Sequence, residues 1–129
     1  MKSVFSSSRT FIVFLCCFFA CLLLKVPVQA EEWGGYLTAD SMKGFADNLF
    51  YREHFYRATI EYKRFLFYHP AHPDVPQAQF NIATAARLVE DYSAALDHYR
   101  AFLSHFPHHT LAKKASRAIV EIESTLAGR

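Results

Sequence analysis

Seven histidines are the residues of this 129-residue chain whose type and spacing come closest to a site for chemistry. Imidazole is a common ligand for zinc and copper, provided that three or four ligands converge in a fixed geometry. His105, His108 and His109 lie within one short stretch, and they are weak candidates for a metal site. The alternative is that these histidines are polar residues at helix ends, where an imidazolium also complements the helix dipole. The pattern requires no metal or other cofactor.

Other catalytic patterns are missing from the sequence. No serine lies in a G-x-S-x-G turn, and no glycine lies between Gly44 and Gly128, so a glycine-rich phosphate loop is excluded there. The adjacent acids Glu90 and Asp91 are typical of a helix start and not of an acid–base pair. We therefore expect no enzymatic activity and no small-molecule substrate.

The first thirty residues have the composition of an export signal. Lys2 and Arg9 precede an uncharged, apolar run at residues 11–24, and a small-residue site ends at Ala30. This order is typical of a secretory signal peptide. The alternative is an uncleaved membrane anchor through residues 11–24, but the run is shorter than the roughly 20 residues of a spanning helix. The sequence thus predicts an exported, periplasmic protein with a signal peptide at residues 1–30 and a flexible leader at residues 31–39.

Removal of this signal would change the charge balance. The whole chain has 14 Lys and Arg against 12 Asp and Glu, a net charge of +2. Three bases (Lys2, Arg9 and Lys25) and all three cysteines lie in the signal, so eleven bases, twelve acids and no disulfide framework would remain. That balance excludes a protein that binds nucleic acid by neutralising many phosphates.

An internal repeat of 37 residues organises the rest of the chain, because residues 53–70 align with residues 90–107. Both stretches carry aromatic and small residues at helical spacing, and both end in a proline that stops a helix. A single helix pair cannot bury such an apolar stripe, so the pairs must stack. The residues predicted to pack the repeats are Ala58, Tyr62, Phe65, Pro70, Ala95, Tyr99, Phe102 and Pro107.

The same periodicity predicts five helices and no strands. The helices are expected at about residues 41–51, 54–69, 75–88, 91–106 and 111–127. Their predicted N-caps are Asp40 or Ser41 for the first helix, Asp74 for the third and Thr110 for the fifth.

The second helix of each unit resembles the tetratricopeptide repeat. The pattern A-x₃-Y with a later proline occurs at Ala58, Tyr62 and Pro70, and again at Ala95, Tyr99 and Pro107. The resemblance covers about residues 40–127, and the repeats are similar to those of exported bacterial proteins of the BamD and YbgF groups. It implies an all-α, tetratricopeptide-type helical-hairpin solenoid at residues 40–129, with two full repeats plus a C-terminal helix. The departures are the lack of a clear lipoprotein cysteine box and the presence of only two full repeats plus a last helix. The period is also longer than the usual 34 or so residues.

The resemblance also implies a function. In this family the first helices of the repeats line a concave face, which puts a partner-binding groove at Asp47, Phe50, Tyr51, Phe80, Thr84, Arg87, Lys114 and Arg117. The alternative is that Phe50 and Phe80 are core residues and that the three bases form a solvated face. The implied function is an exported scaffold or adaptor that binds another envelope protein or a peptide segment, linked to outer-membrane assembly or to the Tol-Pal system.

Two further hypotheses are compatible with the sequence. One is a periplasmic metal-binding protein that uses the histidine-rich links between the repeats. The other is a homodimer formed through apolar residues of the last helix, namely Ala112, Ile119, Ile122 and Leu126.

Overall fold

The computed structural model describes residues 38–128, and it contains five α-helices and no strand within that range. The predicted signal peptide and most of the predicted leader lie outside the described residues. No helix within residues 38–128 is long and apolar enough to cross a membrane. The helices are α1 (Ala39–Tyr51), α2 (Phe55–Tyr68), α3 (Val75–Leu88), α4 (Tyr92–His105) and α5 (Ala112–Ala127).

Each helix packs against the next one along the chain. Short links join α1 to α2 and α3 to α4, so these helices form two hairpins, and α5 packs on the second of them. This arrangement confirms the predicted all-α helical-hairpin solenoid, with two helix pairs and one last helix. The helix bounds also agree with the predicted ones to within two residues.

The two hairpins have the same turn, set 37 residues apart. Glu53 and Glu90 adopt left-handed backbone conformations, with φ of 61° and 60°. In the first turn the His54 N–H donates to the Leu49 carbonyl at 2.9 Å, and the Glu53 N–H donates to the Phe50 carbonyl at 3.0 Å. These two bonds form a Schellman motif, which ends the helix and reverses the chain.

Of the three predicted caps, two lie at other residues and the third lacks a capping hydrogen bond. Thr38, and not Asp40 or Ser41, caps α1 by accepting a hydrogen bond from the Ser41 N–H at 3.3 Å. Asp74 occupies the predicted position before α3, but its side chain makes no capping hydrogen bond. At α5 the cap position is Leu111 instead of Thr110.

Histidines bond to the backbone directly before α3 and α5, at the cap residues themselves. The Nδ1 atoms of His72 and His109 accept hydrogen bonds from the backbone N–H groups of Asp74 and Leu111, both at 3.2 Å. Each imidazole also packs edge-on against a core phenylalanine, with ring centroids 5.3 Å from Phe65 and 6.0 Å from Phe102. The imidazoles therefore hold the links in place. Cap propensities do not predict this role for histidine.

The apolar core consists of two clusters, one among α1, α2 and α3 and the other among α3, α4 and α5. The buried members of the first are Met42, Ala46, Leu49, Ala58, Tyr62, Phe65, Val75, Ala78 and Ile82. Those of the second are Ala83, Ala95, Tyr99, Phe102, Ala115, Ala118 and Ile122. Helix α3 contributes neighbouring residues, Ile82 and Ala83, to different clusters, and half-buried Phe106 packs against both.

The predicted packing residues separate into two groups. Their small and aromatic members lie in the core, whereas Pro70 and Pro107 are exposed two residues beyond the ends of α2 and α4. The prolines therefore end helices without packing the repeats together. On α5, Ile122 is buried in the second cluster, and Leu126 is the exposed member of the apolar set suggested for self-association.

Candidate functional site

A cavity of about 670 Å³, here called the α1–α3 cavity, lies between α1, the start of α3 and the link that leads into α5. Tyr62 of α2 also contributes to the cavity wall. The lining residues are Lys43, Asp47, Phe50, Tyr51, Tyr62, Pro73, Asp74, Gln77, Asn81, His109 and Thr110.

A chain of hydrogen bonds crosses one wall of the cavity. The buried Tyr62 hydroxyl donates to Asp47 Oδ1 at 2.6 Å and accepts a hydrogen bond from Asn81 Nδ2 at 2.9 Å. Asn81 Oδ1 in turn accepts from Gln77 Nε2 at 2.9 Å. Burial, followed by the hydrogen bond to Asp47, raises the pKa of Tyr62, so its hydroxyl keeps its proton and acts as a donor. The wall is thus a fixed polar surface joining α1, α2 and α3.

Lys43 adds charge to this surface. Its Nζ atom lies 2.7 Å from Asp47 Oδ2 and 3.8 Å from Asp74 Oδ2. Partial burial alone would lower the pKa of Lys43, but the hydrogen bond to Asp47 and the two nearby carboxylates outweigh it and raise the pKa. Two carboxylates therefore share one ammonium group, which leaves a local excess of negative charge. Asp74, whose side chain is 47% exposed, presents that charge to the cavity.

The second repeat lacks this polar surface. At the positions 37 residues later, Thr84 replaces Asp47 and Ala118 replaces Asn81. The Thr84 hydroxyl donates to the Phe80 carbonyl at 2.9 Å and lies 3.0 Å from the Tyr99 hydroxyl. Because the second repeat packs with an aliphatic residue at the Asn81 position, the fold does not require the extended network. The network is a special feature of the first repeat.

Three of the residues predicted for a groove line the α1–α3 cavity. Asp47 lies in the hydrogen-bonded wall, and half-buried Phe50 packs edge-on against Phe55 and Tyr62, with ring centroids 5.4 and 6.4 Å apart. Tyr51 is 86% exposed, so its ring is available to a bound partner.

The other five predicted groove residues lie outside this cavity. Phe80 packs edge-on against Tyr99 and Phe102, with centroids 5.6 and 5.8 Å away, in the manner of a core residue. The Thr84 hydroxyl is hydrogen-bonded to the Tyr99 hydroxyl. Arg87 is half-buried, and its Nε has no hydrogen-bond partner within the described residues. Lys114 and Arg117 are exposed on α5. The structure does not bring a positive rim to the cavity.

Sequence reasoning did not select Lys43, Asp74, Gln77 or Asn81 as lining residues. Two signals were available in the sequence. Lys43 with Asp47, and Gln77 with Asn81, are polar pairs at i, i+4 spacing, which puts each pair on one helix face. The second signal is the contrast between Asn81 and Ala118, because the first repeat has a polar amide where the second repeat has an aliphatic side chain.

The histidine-rich links do not assemble a metal site. Within residues 38–128 no group of three or more His, Cys, Asp or Glu side chains is placed to hold a metal ion. Of the weak candidates, His109 uses Nδ1 to accept the Leu111 N–H, and His105 packs against Phe106 with centroids 6.2 Å apart. His108 is exposed in the same link.

A second, smaller cavity of about 210 Å³ lies among α2, α3 and α4. Lys63, Ile82, His98 and His105 contribute to its lining. Burial and the nearby charge of Lys63 lower the pKa of His98, so its imidazole is neutral near pH 7. A neutral imidazole beside aliphatic groups fits a packing role.

Comparisons with known proteins do not assign the chain. No protein-family model matches it, and no curated protein shows significant similarity to it. The geometry of the α1–α3 cavity and the repeat pattern are therefore the features that indicate a function.

Proposed function

We propose that this protein is an exported tetratricopeptide-type scaffold or adaptor that binds a segment of another cell-envelope protein in the α1–α3 cavity. The helical-hairpin solenoid and the A-x₃-Y pattern in both repeats support the tetratricopeptide assignment. The signal-like first thirty residues support export, and the resemblance to repeats of outer-membrane assembly and Tol-Pal proteins supports an envelope role.

The observation that carries the proposal is the polar wall formed by Asp47, Tyr62, Asn81 and Gln77. It joins three helices, faces a cavity of about 670 Å³, and has no counterpart in the packing of the second repeat. An extended segment has unpaired backbone N–H and C=O groups, which side-chain amides and carboxylates can satisfy. The wall is preorganised by its own hydrogen bonds, so little side-chain entropy is lost when a segment binds.

Charge indicates what kind of segment fits. Asp47 and Asp74 together carry two negative charges, against the single positive charge of Lys43. The Asp74 side chain is also half exposed. A lysine or arginine of the partner can pair with Asp74, while the exposed ring of Tyr51 can stack on that side chain. We therefore expect the bound segment to be basic.

A capture experiment tests the proposal. The tagged protein is used as bait in envelope extracts of its native cells, beside a cavity variant with Tyr51→Ala and Asp74→Asn. Neither substitution removes a buried side chain, and Asp74 makes no side-chain cap bond, so the fold should be preserved. Val120→Ala, at an exposed position on α5, is the matched control.

We expect the wild type and the Val120→Ala control to retain one shared partner and the cavity variant to lose it. Titration of the purified partner should then show affinity reduced by at least about tenfold in the cavity variant, the loss of about 1.4 kcal/mol of binding free energy. Equal capture by all three baits would refute the assignment of this cavity.

A further inference from the structure

The outward face of α2 carries a row of exposed apolar side chains outside the α1–α3 cavity. Tyr56, Ile60 and Phe67 share one stripe with Lys63, at i, i+4, i+7 and i+11 spacing. Tyr56 is 80% exposed and Phe67 79% exposed, and both project from the side of α2 that is not in the core. Tyr68 extends this patch, since its ring meets that of Phe67 edge-on at 5.2 Å.

The second repeat shows that the fold does not need these side chains. Helix α4 occupies the same place in its hairpin, and its equivalents of Tyr56, Ile60 and Phe67 are Ser93, Asp97 and Ser104. All three are exposed polar residues. The buried positions of α2 and α4, by contrast, keep their residue types, as Ala58 and Ala95 illustrate. The apolar residues on the face of α2 are therefore specific to the first repeat and contribute nothing that the hairpin requires.

The charges on α2 favour a negatively charged partner surface. The helix contains Arg57, Lys63 and Arg64 and one acid, Glu61. Glu61 is engaged by Arg64, whose Nη1 lies 2.9 Å from Glu61 Oε2. At the equivalents of Arg57 and Arg64, α4 has Ala94 and Ala101. The apolar groups and both arginines are thus absent from the equivalent face of α4, where Lys63 alone has a basic counterpart, Arg100.

We propose that the exposed face of α2 is a docking surface for an anionic lipid bilayer. Tyrosine and phenylalanine rings partition to the headgroup level of a membrane, where ring and hydroxyl both find suitable surroundings. Arginine and lysine beside them bind lipid phosphates, and their attraction to anionic lipid falls off within a Debye length. A helix with aromatic and aliphatic groups flanked by bases lies in the interface plane without crossing the membrane. This surface is separate from the α1–α3 cavity, so one can be tested without the other.

Site-specific quenching in the full chain tests the proposal, because it reports contact at α2 whatever residues 1–30 do. A single tryptophan is introduced as Phe67→Trp, with Ser104→Trp as the matched control at the equivalent position of α4, both in a Trp33→Phe background. The proteins are combined with vesicles of phosphatidylglycerol and phosphatidylcholine, or of phosphatidylcholine alone, that contain brominated lipid as the quencher.

We expect strong quenching of the residue-67 tryptophan on phosphatidylglycerol vesicles and little quenching of the residue-104 tryptophan. High salt or the change to pure phosphatidylcholine should remove most of the signal. Adding Arg57→Ala and Arg64→Ala, which copies the α4 residues onto α2, should weaken binding to the anionic vesicles by at least about tenfold. Because the second repeat carries alanine at both positions, a folding defect is not expected, and circular dichroism checks this.

Four results would overturn the proposal. The first is no quenching at residue 67 on anionic vesicles, and the second is equal quenching at residues 67 and 104. The third is a concentration-dependent dimer in sedimentation that the combined changes Tyr56→Ser, Ile60→Asp and Phe67→Ser abolish, since the occupant would then be a second copy of the chain. Protection of residue 67 by a captured protein in place of lipid would likewise assign the face to a protein partner.

Discussion

The environment of the Tyr62 hydroxyl distinguishes two repeats that have the same backbone fold. Tyr62 and Tyr99 occupy equivalent positions and are both buried, with at most 1% of each side chain exposed. Tyr62 bonds to a carboxylate and an amide, whereas the hydroxyl of Tyr99 lies against that of Thr84. Hydrogen bonds to charged groups contribute more than neutral ones, so the first hydroxyl should matter more for stability.

Replacing Tyr62 with phenylalanine tests this difference. Tyr62→Phe keeps the ring packing but leaves Asp47 and Asn81 without their shared partner, and we expect a loss of about 2 kcal/mol in the free energy of unfolding. Tyr99→Phe is the matched control, with an expected loss of about 1 kcal/mol or less. Urea denaturation of both variants measures the two values. Equal losses would show that the Tyr62 network stabilises the fold no more than the contact between Tyr99 and Thr84 does.

At the scale of single elements, the turns between paired helices carry an avoidable strain. Glu53 adopts φ of 61° at the position where Schellman motifs usually place glycine. A residue with a Cβ atom is disfavoured in this left-handed conformation by about 1–2 kcal/mol. Glycine would remove this cost, but part of the resulting gain in stability is offset because glycine loses more backbone entropy on folding.

We therefore expect Glu53→Gly to increase the free energy of unfolding by up to about 1 kcal/mol. Glu53→Ala retains the Cβ atom and should give no comparable gain. Thermal denaturation followed by circular dichroism compares the two variants with the wild type. A gain with alanine as large as that with glycine would attribute the effect to the glutamate charge and not to the backbone.

The elements were largely predictable because their signals are local. Apolar spacing placed all five helices within two residues of their observed bounds, and the repeat period gave the order of the hairpins. The helix starts were less predictable, since the links before α3 and α5 are held by His72 and His109, which bond to the backbone and pack against a phenylalanine. Cap propensities, which concern single residues, do not predict such contacts within a link.

The site was less predictable than the fold. The tetratricopeptide resemblance selected Asp47, Phe50 and Tyr51, which line the cavity, but it also selected Phe80, which packs in the core of the second hairpin. Periodicity locates the inward face of a helix, but it does not say whether an aromatic ring there fills a core or remains open. Only the packing of Tyr99 and Phe102 around Phe80 decides that question.

At the scale of the whole described region, Phe106 and helix α3 connect the two core clusters. Phe106 packs against both clusters, with its ring 5.6 Å from that of Phe102, and α3 supplies residues to each. In repeat proteins, stability is a sum of unit terms and neighbour interfaces, so removal of an interface residue weakens the coupling between units.

Phe106→Ala should lower the free energy of unfolding by about 2–3 kcal/mol, somewhat less than the change at a fully buried phenylalanine. It should also separate the hydrogen-exchange protection of α1 from that of α5, which the intact interface keeps together. Phe67→Ala, at an exposed position, serves as the control and should change stability by no more than about 0.5 kcal/mol. Uniform loss of protection in Phe106→Ala would contradict the two-cluster description.

The 37-residue register of the turns and links has a practical consequence for engineering. Asp74 and Leu111 are equivalent positions directly before α3 and α5, each with its backbone N–H bonded to a histidine two residues earlier. A copy of residues 75–111 inserted after Leu111 would therefore join at the same backbone geometry on both sides. The chain could be lengthened by whole hairpins, with the polar cavity kept in the first unit and the added copies serving as spacers of fixed length.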